Sequence, residues 1–183
     1  MSVQERDHYL RLRRAYEPEN IRLVIVAESP PASGKYFYDP TSSLKEPLFA
    51  ALMLQLGISP ATKEDGLLEF QNRGWILVDA TYQPVDKLSK EAGLDRNEVI
   101  ARDYPLLLDD LASLMPNRSI PLVLIKANVC RTLEPLLSKD GFSVLNGGRA
   151  IYFPSNGQQT NFKNQFSAAL SGLPGHPAQP DLP

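Results

Sequence analysis

IRLVIVAESPPASGKYFYDP, residues 21–40, is the stretch around which the rest of the chain can be arranged. Residues 23–26 are apolar and mostly β-branched, which is typical of a strand covered on both faces. Pro30 and Pro31 cannot continue a central strand, so the chain must leave the sheet there. The carboxyl end of such a strand is where open α/β sheets bind ligands. The stretch therefore predicts a buried strand followed by a binding loop.

This loop carries an acid, a hydroxyl and a row of aromatic residues. Glu28 and Ser29 come first, an Ala-Ser-Gly segment follows, and Tyr36, Phe37 and Tyr38 come after it. The composition suits a pocket floor with an aromatic wall. In the alternative interpretation, Glu28 is a solvated loop acid and the aromatic side chains belong to the core, because α/β domains carry many strand-end acids without a role. The residues alone leave both interpretations open.

Composition narrows the class of protein. The chain has 183 residues, 43% of them hydrophobic and 22% charged, which suits one domain with a full core. Its net charge of -2 excludes a basic surface overall, so contact with nucleic acid would need a local patch. A single cysteine, Cys130, and two histidines argue against a disulfide framework and a His/Cys metal site. We therefore expect no metal and no cofactor.

Targeting signals are also missing from the sequence as given. Its first residues are charged, and no apolar run approaches the length of a membrane span. We expect a cytoplasmic monomer that makes no contact with a membrane.

Strands and helices are predicted to alternate along the chain. Further buried strands are expected at residues 75–78 and 121–125, with a last strand region at 142–153. Helices are expected at residues 2–16, 44–57, 59–74, 94–115, 129–137 and 161–170, with a short helix or turn at 86–93. This order predicts a three-layer α/β/α domain over residues 1–172, with a central, mostly parallel four-stranded sheet. Residues 173–183 are rich in proline and predict a mobile tail.

Several local signals predict where these helices begin, bend or meet solvent. A capping-box pattern at residues 43–46 and Ser59-Pro60 predict two helix starts. Pro105 predicts a kink or a break, and Pro135 predicts a shortened or bent helix. The arginines of the first helix predict a solvated face or a contact with phosphate.

Polar segments follow the predicted strands at residues 28–29, 79–83, 126–128 and 155–159, and they should converge on one edge of the sheet. None of them carries a GxGxxG or GxxxxGK[ST] motif, which argues against enzymes with nucleotide cofactors. Ser29 lacks the GxSxG elbow, and the histidines lie in the first helix and the tail, which argues against a Ser-His-Asp hydrolase.

Four segments, in their order and spacing, resemble motifs of the uracil-DNA glycosylase superfamily. Residues 27–31 (AESPP) are similar to its first loop, Gly-x-x-Pro-x, in the variant with Glu at the second position. Residues 34–37 (GKYF) are similar to the Gly-x-x-Phe that stacks on the flipped base. Residues 75–81 (WILVDAT) are similar to the strand that ends in a base-reading Asn, and residues 153–162 (FPSNGQQTNF) to the His-Pro-Ser motif that enters DNA. The resemblance spans roughly residues 21–170.

The resemblance implies a role for each matching residue. Glu28 would orient or deprotonate water with Ser29 beside it, as catalytic residues. The flipped base would be held by Phe37, Tyr36, Asp79 and Phe153, and the nucleic acid would be contacted by Ser155, Asn156, Gly157 and Gln158. The partner implied is DNA, single-stranded or damaged.

Three departures concern the chemistry. Ser29 stands where the most active branch has a water-activating Asp, Asp79 where Asn is usual, and Phe153 where His is usual. An ionised Asp only accepts hydrogen bonds, so we expect Asp79 to disfavour plain uracil unless burial keeps it protonated. Phe153 cannot donate a hydrogen bond to a departing base.

The motif residues also have purely structural interpretations. Asp79 would then cap the following turn, and Ser155 and Gly157 would be the N-cap and turn of the last helix. Two functions stay open: a glycosylase that acts on a damaged or modified base, and a non-catalytic relative that binds nucleic acid or a nucleobase. An unrelated α/β protein that handles a small metabolite is a more distant option.

Overall fold

The computed structural model describes residues 3–155, 157–171 and 173. Within these residues it has one parallel sheet of three strands in the order β2-β1-β3. The strands are β1 (Leu23–Ala27), β2 (Trp75–Asp79) and β3 (Leu122–Leu124). The helices are α1 (Val3–Arg14), α2 (Pro47–Leu56), α3 (Lys63–Asn72), α4 (Val85–Ala92), α5 (Arg96–Leu114), α6 (Ala127–Lys139) and α7 (Gln159–Leu170).

Both faces of the sheet are covered by helices. Every strand residue is buried, as expected of the continuous apolar runs of a parallel sheet. Side chains alternate between the two faces: Ile25 packs in one core with side chains from α2, α3 and α7, and Val24 packs in the other with side chains from α5 and α6. The predicted α/β class and parallel sheet are therefore confirmed.

The predicted fourth strand is wrong for the part of the chain that the structure describes. The chain beside β3 forms a single parallel bridge, between Leu122 and Val144. The side chain of Asn146 then takes the place of a strand: its Oδ1 accepts from the Leu124 amide at 2.8 Å, and its Nδ2 donates to the Leu124 carbonyl at 3.0 Å. Backbone hydrogen bonds with Ser143 and Leu145 satisfy Leu122, and the Asn146 side chain satisfies Leu124, so this edge of β3 needs no full neighbouring strand.

Two helix starts differ from the prediction. α2 begins at Pro47, where Glu46 is the N-cap and accepts hydrogen bonds from the amides of Leu48 and Phe49. A capping box of Thr62 and Asp65 begins α3, in place of the predicted Ser59-Pro60 start. Several residues in each segment are suitable caps, and the packing of the helix decides which of them is used.

The interior prolines do not break their helices. α5 is continuous through Pro105 and α6 continues past Pro135. Both prolines are exposed. A carbonyl that loses its amide partner on the solvent side can bond water instead, which lowers the cost of the missing hydrogen bond.

Arg13 contradicts the predicted solvated arginine face. Its side chain is only 3% exposed, and its guanidinium forms a bidentate pair with Asp110, with N–O distances of 2.5 and 2.7 Å. Tyr82 joins the network through its hydroxyl, 2.9 Å from the guanidinium. Arg11 and Arg14 are exposed, in agreement with the prediction.

The end of the chain is described only in part. Leu173, the first residue of the predicted tail, packs against the core. The rest of that predicted tail, residues 174–183, lies outside the described residues. None of the helices in the described ranges combines the length and apolar character that a membrane span requires.

Candidate functional site

A cavity of about 220 Å³ lies at the carboxyl ends of the strands. Its lining includes six of the residues predicted for the site: Glu28, Ser29, Tyr36, Phe37, Asp79 and Phe153. Ser155, Gly157 and Gln158 do not line it. Asn156 lies outside the described residues. The three strand ends and the loop after β1 therefore meet at one hollow.

Strand register places the two acids at this edge. Ala27 pairs with Asp79 in the sheet, so Glu28 follows immediately beside the end of β2. Two hydrogen bonds continue the pairing past the strands, from the Ala80 amide to the Ala27 carbonyl at 2.8 Å and from the Thr81 amide to the Glu28 carbonyl at 3.2 Å. The backbone around both acids is thus held by the sheet.

Glu28 is a buried acid and not a solvated loop residue. It is 8% exposed, and its Oε2 accepts from Lys126 Nζ and from Arg96 at 3.3 Å, while its Oε1 accepts from Asn128 Nδ2 at 2.7 Å. A carboxylate has about four acceptor sites, so one site remains on Oε1. The three donors hold the carboxylate in a single orientation at the cavity.

Lys126 reaches Glu28 from an unusual backbone conformation. Its φ is 84° and its ψ is 128°, in a region that residues other than glycine rarely adopt. It immediately precedes α6, where the chain turns out of the sheet after β3. Strain of this kind often occurs at functional sites, and it brings Nζ to the carboxylate here.

Ser29 is half-buried and contacts the start of α4. Its Oγ accepts a hydrogen bond from the Val85 amide at 3.4 Å. The hydroxyl thus links the loop after β1 to α4 and also lines the cavity.

Asp79 is 3% exposed and receives a hydrogen bond from the Tyr36 hydroxyl, 3.1 Å from its Oδ2. Burial raises its pKa to about 7, although the Tyr36 hydrogen bond and Arg13 act in the opposite direction. Burial also raises the pKa of Tyr36 well above its ordinary value. Asp79 is not the cap of the following turn, because Thr81 Oγ1 accepts from the Gln83 amide there.

Some of the aromatic residues line the cavity and others pack in the core. Phe37 belongs to both groups. Its ring packs against Tyr38, Phe49 and Phe70, with ring centroids 5.0 to 5.8 Å apart, and also lines the cavity. Tyr38 has a structural role, since its hydroxyl accepts from the Leu77 amide at 2.7 Å and closes the free edge of β2. Phe153 is half-buried at the cavity.

Of the described residues in the loop before α7, Phe153 alone lines the cavity. The Ser155 amide donates to the Phe153 carbonyl at 2.8 Å, and the Ser155 carbonyl accepts from the Gln158 amide at 3.1 Å. Gln158 is the N-cap of α7, so the proposed capping role of Ser155 is wrong. Gly157 is exposed with a φ of 81°, a conformation suited to glycine in this turn.

Some residues that line the cavity or bind Glu28 had not been predicted as site residues. Arg96 comes from α5, 68 residues from Glu28, and nothing in its local sequence marks it. Lys126 and Asn128 lie in a polar strand-end segment, which was the signal available for them. Glu46 and Asp86 also line the cavity, and burial raises the pKa of Glu46.

No group of three or more His, Cys, Asp or Glu side chains suited to a metal ion occurs among the described residues. Comparisons with models of protein families, with curated proteins and with solved structures found no match to this chain. The resemblance to uracil-DNA glycosylases therefore stays a prediction, and function has to be argued from the cavity.

Proposed function

We propose that this protein is a divergent DNA glycosylase that takes a flipped, damaged or modified base into the cavity and hydrolyses its N-glycosidic bond. The observation that carries the proposal is the single hollow at the strand ends, lined by Glu28, Phe37 and Asp79. An acid, an aromatic face and a polar group that reads base edges are the parts that base excision needs.

The dimensions of the cavity support a base-sized ligand. Its volume of about 220 Å³ lies below the roughly 300–1,000 Å³ of sites for drug-sized molecules. Phe37, Tyr36 and Phe153 line it with aromatic surface, and flipped bases are commonly held by stacking on such side chains. A single heterocycle would occupy this space with its polar edge towards Asp79.

Glu28 is the residue best suited to the hydrolytic step. Its remaining acceptor site on Oε1 can hold a water molecule beside the sugar, and its negative charge would stabilise positive charge that develops there. The donors from Lys126, Arg96 and Asn128 fix the direction in which the carboxylate presents that site. Ser29 lines the same cavity, but its hydroxyl donates to no carboxylate or other base among the described residues.

Local positive charge is available for a DNA backbone. Lys35 and Lys126 line the cavity. Lys45 and Lys163 line a neighbouring groove together with Pro154, next to the loop that holds Phe153. Phosphate contacts of this kind position DNA without a high overall net charge.

A second candidate is a nucleic-acid or nucleobase-binding protein without catalysis. The three donors on Glu28 favour it, because they occupy most of the acceptor sites that a catalytic base needs. Phe153 favours it as well, since a phenyl ring cannot donate a hydrogen bond to a leaving group.

The test is abasic-site formation in oligonucleotides that each carry one modified base, in single-stranded and duplex form. Glu28→Gln should lower the rate by at least about 100-fold, the usual contribution of a general acid or base. Glu69→Gln, an exposed change on α3, is the matched control and should leave the rate unaltered. Salt-dependent DNA binding without abasic sites would support the second candidate, and the absence of both would overturn both proposals.

A further inference from the structure

The cavity is unusually rich in acids for a site that holds a neutral base. Four carboxylates line it, those of Glu28, Glu46, Asp79 and Asp86. Glu28 is paired with Lys126 and Arg96, whereas the other three form no ion pair with the described residues. Lys63 lies near Glu46 but donates its hydrogen bonds to Tyr36 and Ser42. Lys35 also lines the cavity and forms no ion pair with the described residues, so the lining holds four carboxylates against two lysines.

Two carboxylate oxygens at this cavity also lack a hydrogen-bond donor. Asp86 Oδ1 is buried and has no hydrogen-bond partner within the described part of the chain. Asp79, which is almost fully buried, receives its one described hydrogen bond on Oδ2, so its Oδ1 has no donor among the described residues. A buried acceptor without a donor is costly, and native proteins rarely retain one without a reason. A ligand that brings N–H groups or positive charge would supply a donor to Asp79 Oδ1 and would balance the negative charge of Asp86 beside it.

The aromatic walls favour the same kind of ligand. Phe37 and Phe153 line the cavity with rings that carry no charge of their own. The face of such a ring attracts a cation, and this attraction strengthens when water is excluded. Stacking and charge attraction would thus act on one flat, positively charged heterocycle.

We infer that the base recognised by this cavity is positively charged, as a ring-nitrogen-alkylated base is, and the inference rests on the proposed glycosylase function. Asp79 and Asp86 are the residues that select the charge. Phe37 and Phe153 enclose the ring.

Such a base also explains how Phe153 is compatible with catalysis. When a neutral base departs, the electron pair of the C1′–N bond leaves a negative charge on the base, which needs a proton or a hydrogen-bond donor. When an N-alkylated cationic base departs, the same electron pair neutralises the ring, and the base leaves without a proton. Water adds its oxygen to C1′, and its released proton passes to Glu28 and then to solvent. A donor at position 153 is therefore unnecessary.

The first experiment measures binding, independently of catalysis. 1-Methyladenosine is a cation, and N6-methyladenosine is its neutral isomer, so the pair differs in charge at equal composition. At about pH 8, where most of Asp79 is ionised, the wild-type protein should bind the cation at least about tenfold more tightly. Equal affinities, or tighter binding of the neutral isomer, would overturn the inference.

Variants then show which residues cause the preference for the cation. Asp79→Asn and Asp86→Asn should each reduce the preference for the cation, and Asp86→Asn serves if the buried Asp79→Asn protein folds poorly. Glu69→Gln removes one negative charge from an exposed residue outside the lining and should keep the full preference. An equal loss in Glu69→Gln would mean that overall charge explains the effect, which would also overturn the inference.

The second experiment separates this inference from the proposed function. DNA alkylated at the N3 and N7 positions of purines should yield abasic sites faster than DNA that contains uracil. Faster release of uracil would overturn the inference and leave the glycosylase function standing. If no substrate yields abasic sites, the glycosylase function fails, and the comparison of the two nucleosides alone decides whether the cavity selects positive charge.

Discussion

The Tyr36 hydroxyl donates a hydrogen bond to Asp79 Oδ2 at 3.1 Å, and both side chains are buried at the cavity. The two residues are 43 positions apart and lie in different segments, the loop after β1 and the end of β2. Burial raises the pKa of each of them. The carboxyl group of Asp79 therefore titrates near neutral pH, in a range where ordinary carboxyl groups are fully ionised.

Asp79→Asn should change how stability depends on pH. The folded protein raises the pKa of Asp79 from 3.8 to about 7, so it binds this proton more tightly than the unfolded chain does. The free energy of unfolding of the wild type should fall as pH rises from about 4 to about 7, by about 1.4 kcal/mol per pKa unit at most. The variant should lack this fall and be the more stable protein at about pH 8.

Urea unfolding of both proteins across this pH range is the measurement. Asp109→Asn, an exposed change on α5, should follow the wild-type pH profile. Parallel profiles for wild type and Asp79→Asn would show that Asp79 does not have a raised pKa.

Arg13→Met should destabilise the protein strongly. The change leaves the Asp110 carboxylate buried without its bidentate partner, at a cost of about 3–5 kcal/mol. Arg14→Met, one residue away and exposed, should alter stability by less than about 0.5 kcal/mol. The double variant Arg13→Met/Asp110→Leu should be more stable than Arg13→Met alone, because no unpaired charge remains. A double variant less stable than the single one would contradict this account of the pair.

Lys126→Gly should be more stable than Lys126→Ala. Both changes remove the amine that contacts Glu28, so they differ only in the backbone. The φ of 84° costs an alanine about 1–2 kcal/mol and costs a glycine little. Thermal unfolding of the two variants measures the difference. The opposite order would mean that the backbone relaxes from this conformation once the ion pair is lost.

Asn146→Ala should destabilise the edge of the sheet. The amide of buried Leu124 would lose its partner and its carbonyl would keep only the weak thiol donor of Cys130, and an unsatisfied buried group costs about 1–3 kcal/mol. Asn146→Asp should also be destabilising, because one of its oxygens would face the Leu124 carbonyl. Asn164→Ala, an exposed change on α7, is the control and should have little effect in denaturant unfolding. Wild-type stability for Asn146→Ala would mean that another group or water replaces the amide.

Buried parallel strands were the most predictable part of the fold. The runs that contain Ile25, Leu77 and Val123 are apolar without interruption, and each was predicted within two residues of its observed bounds. The polar residues after these strands were expected to share one edge, and Glu28, Asp79 and Lys126 do so. Both predictions depend on local pattern and on the geometry common to all parallel sheets.

Partners distant along the chain were not predictable. Helical spacing puts Arg13, and not Arg14, on the face that holds Tyr9 and Tyr16, but its ion pair depends on Asp110, 97 residues away. The Asn146 amide that replaces a strand beside β3 looks like an ordinary loop residue in the sequence. The predictions of helix starts were wrong for a related reason. Ser59 and Thr62 are both good caps, and only the packing of α3 selects Thr62.

From the sequence alone came the α/β class, the three buried strands and the polar edge that holds Glu28 and Asp79. These depend on residue type and spacing, which local physics can interpret. The tertiary structure alone decided which charges are paired, which oxygens lack a donor, and that burial raises the pKa of Asp79 to about 7. Those properties depend on distances between segments far apart in the chain and on the exclusion of water, and neither exists before the chain folds.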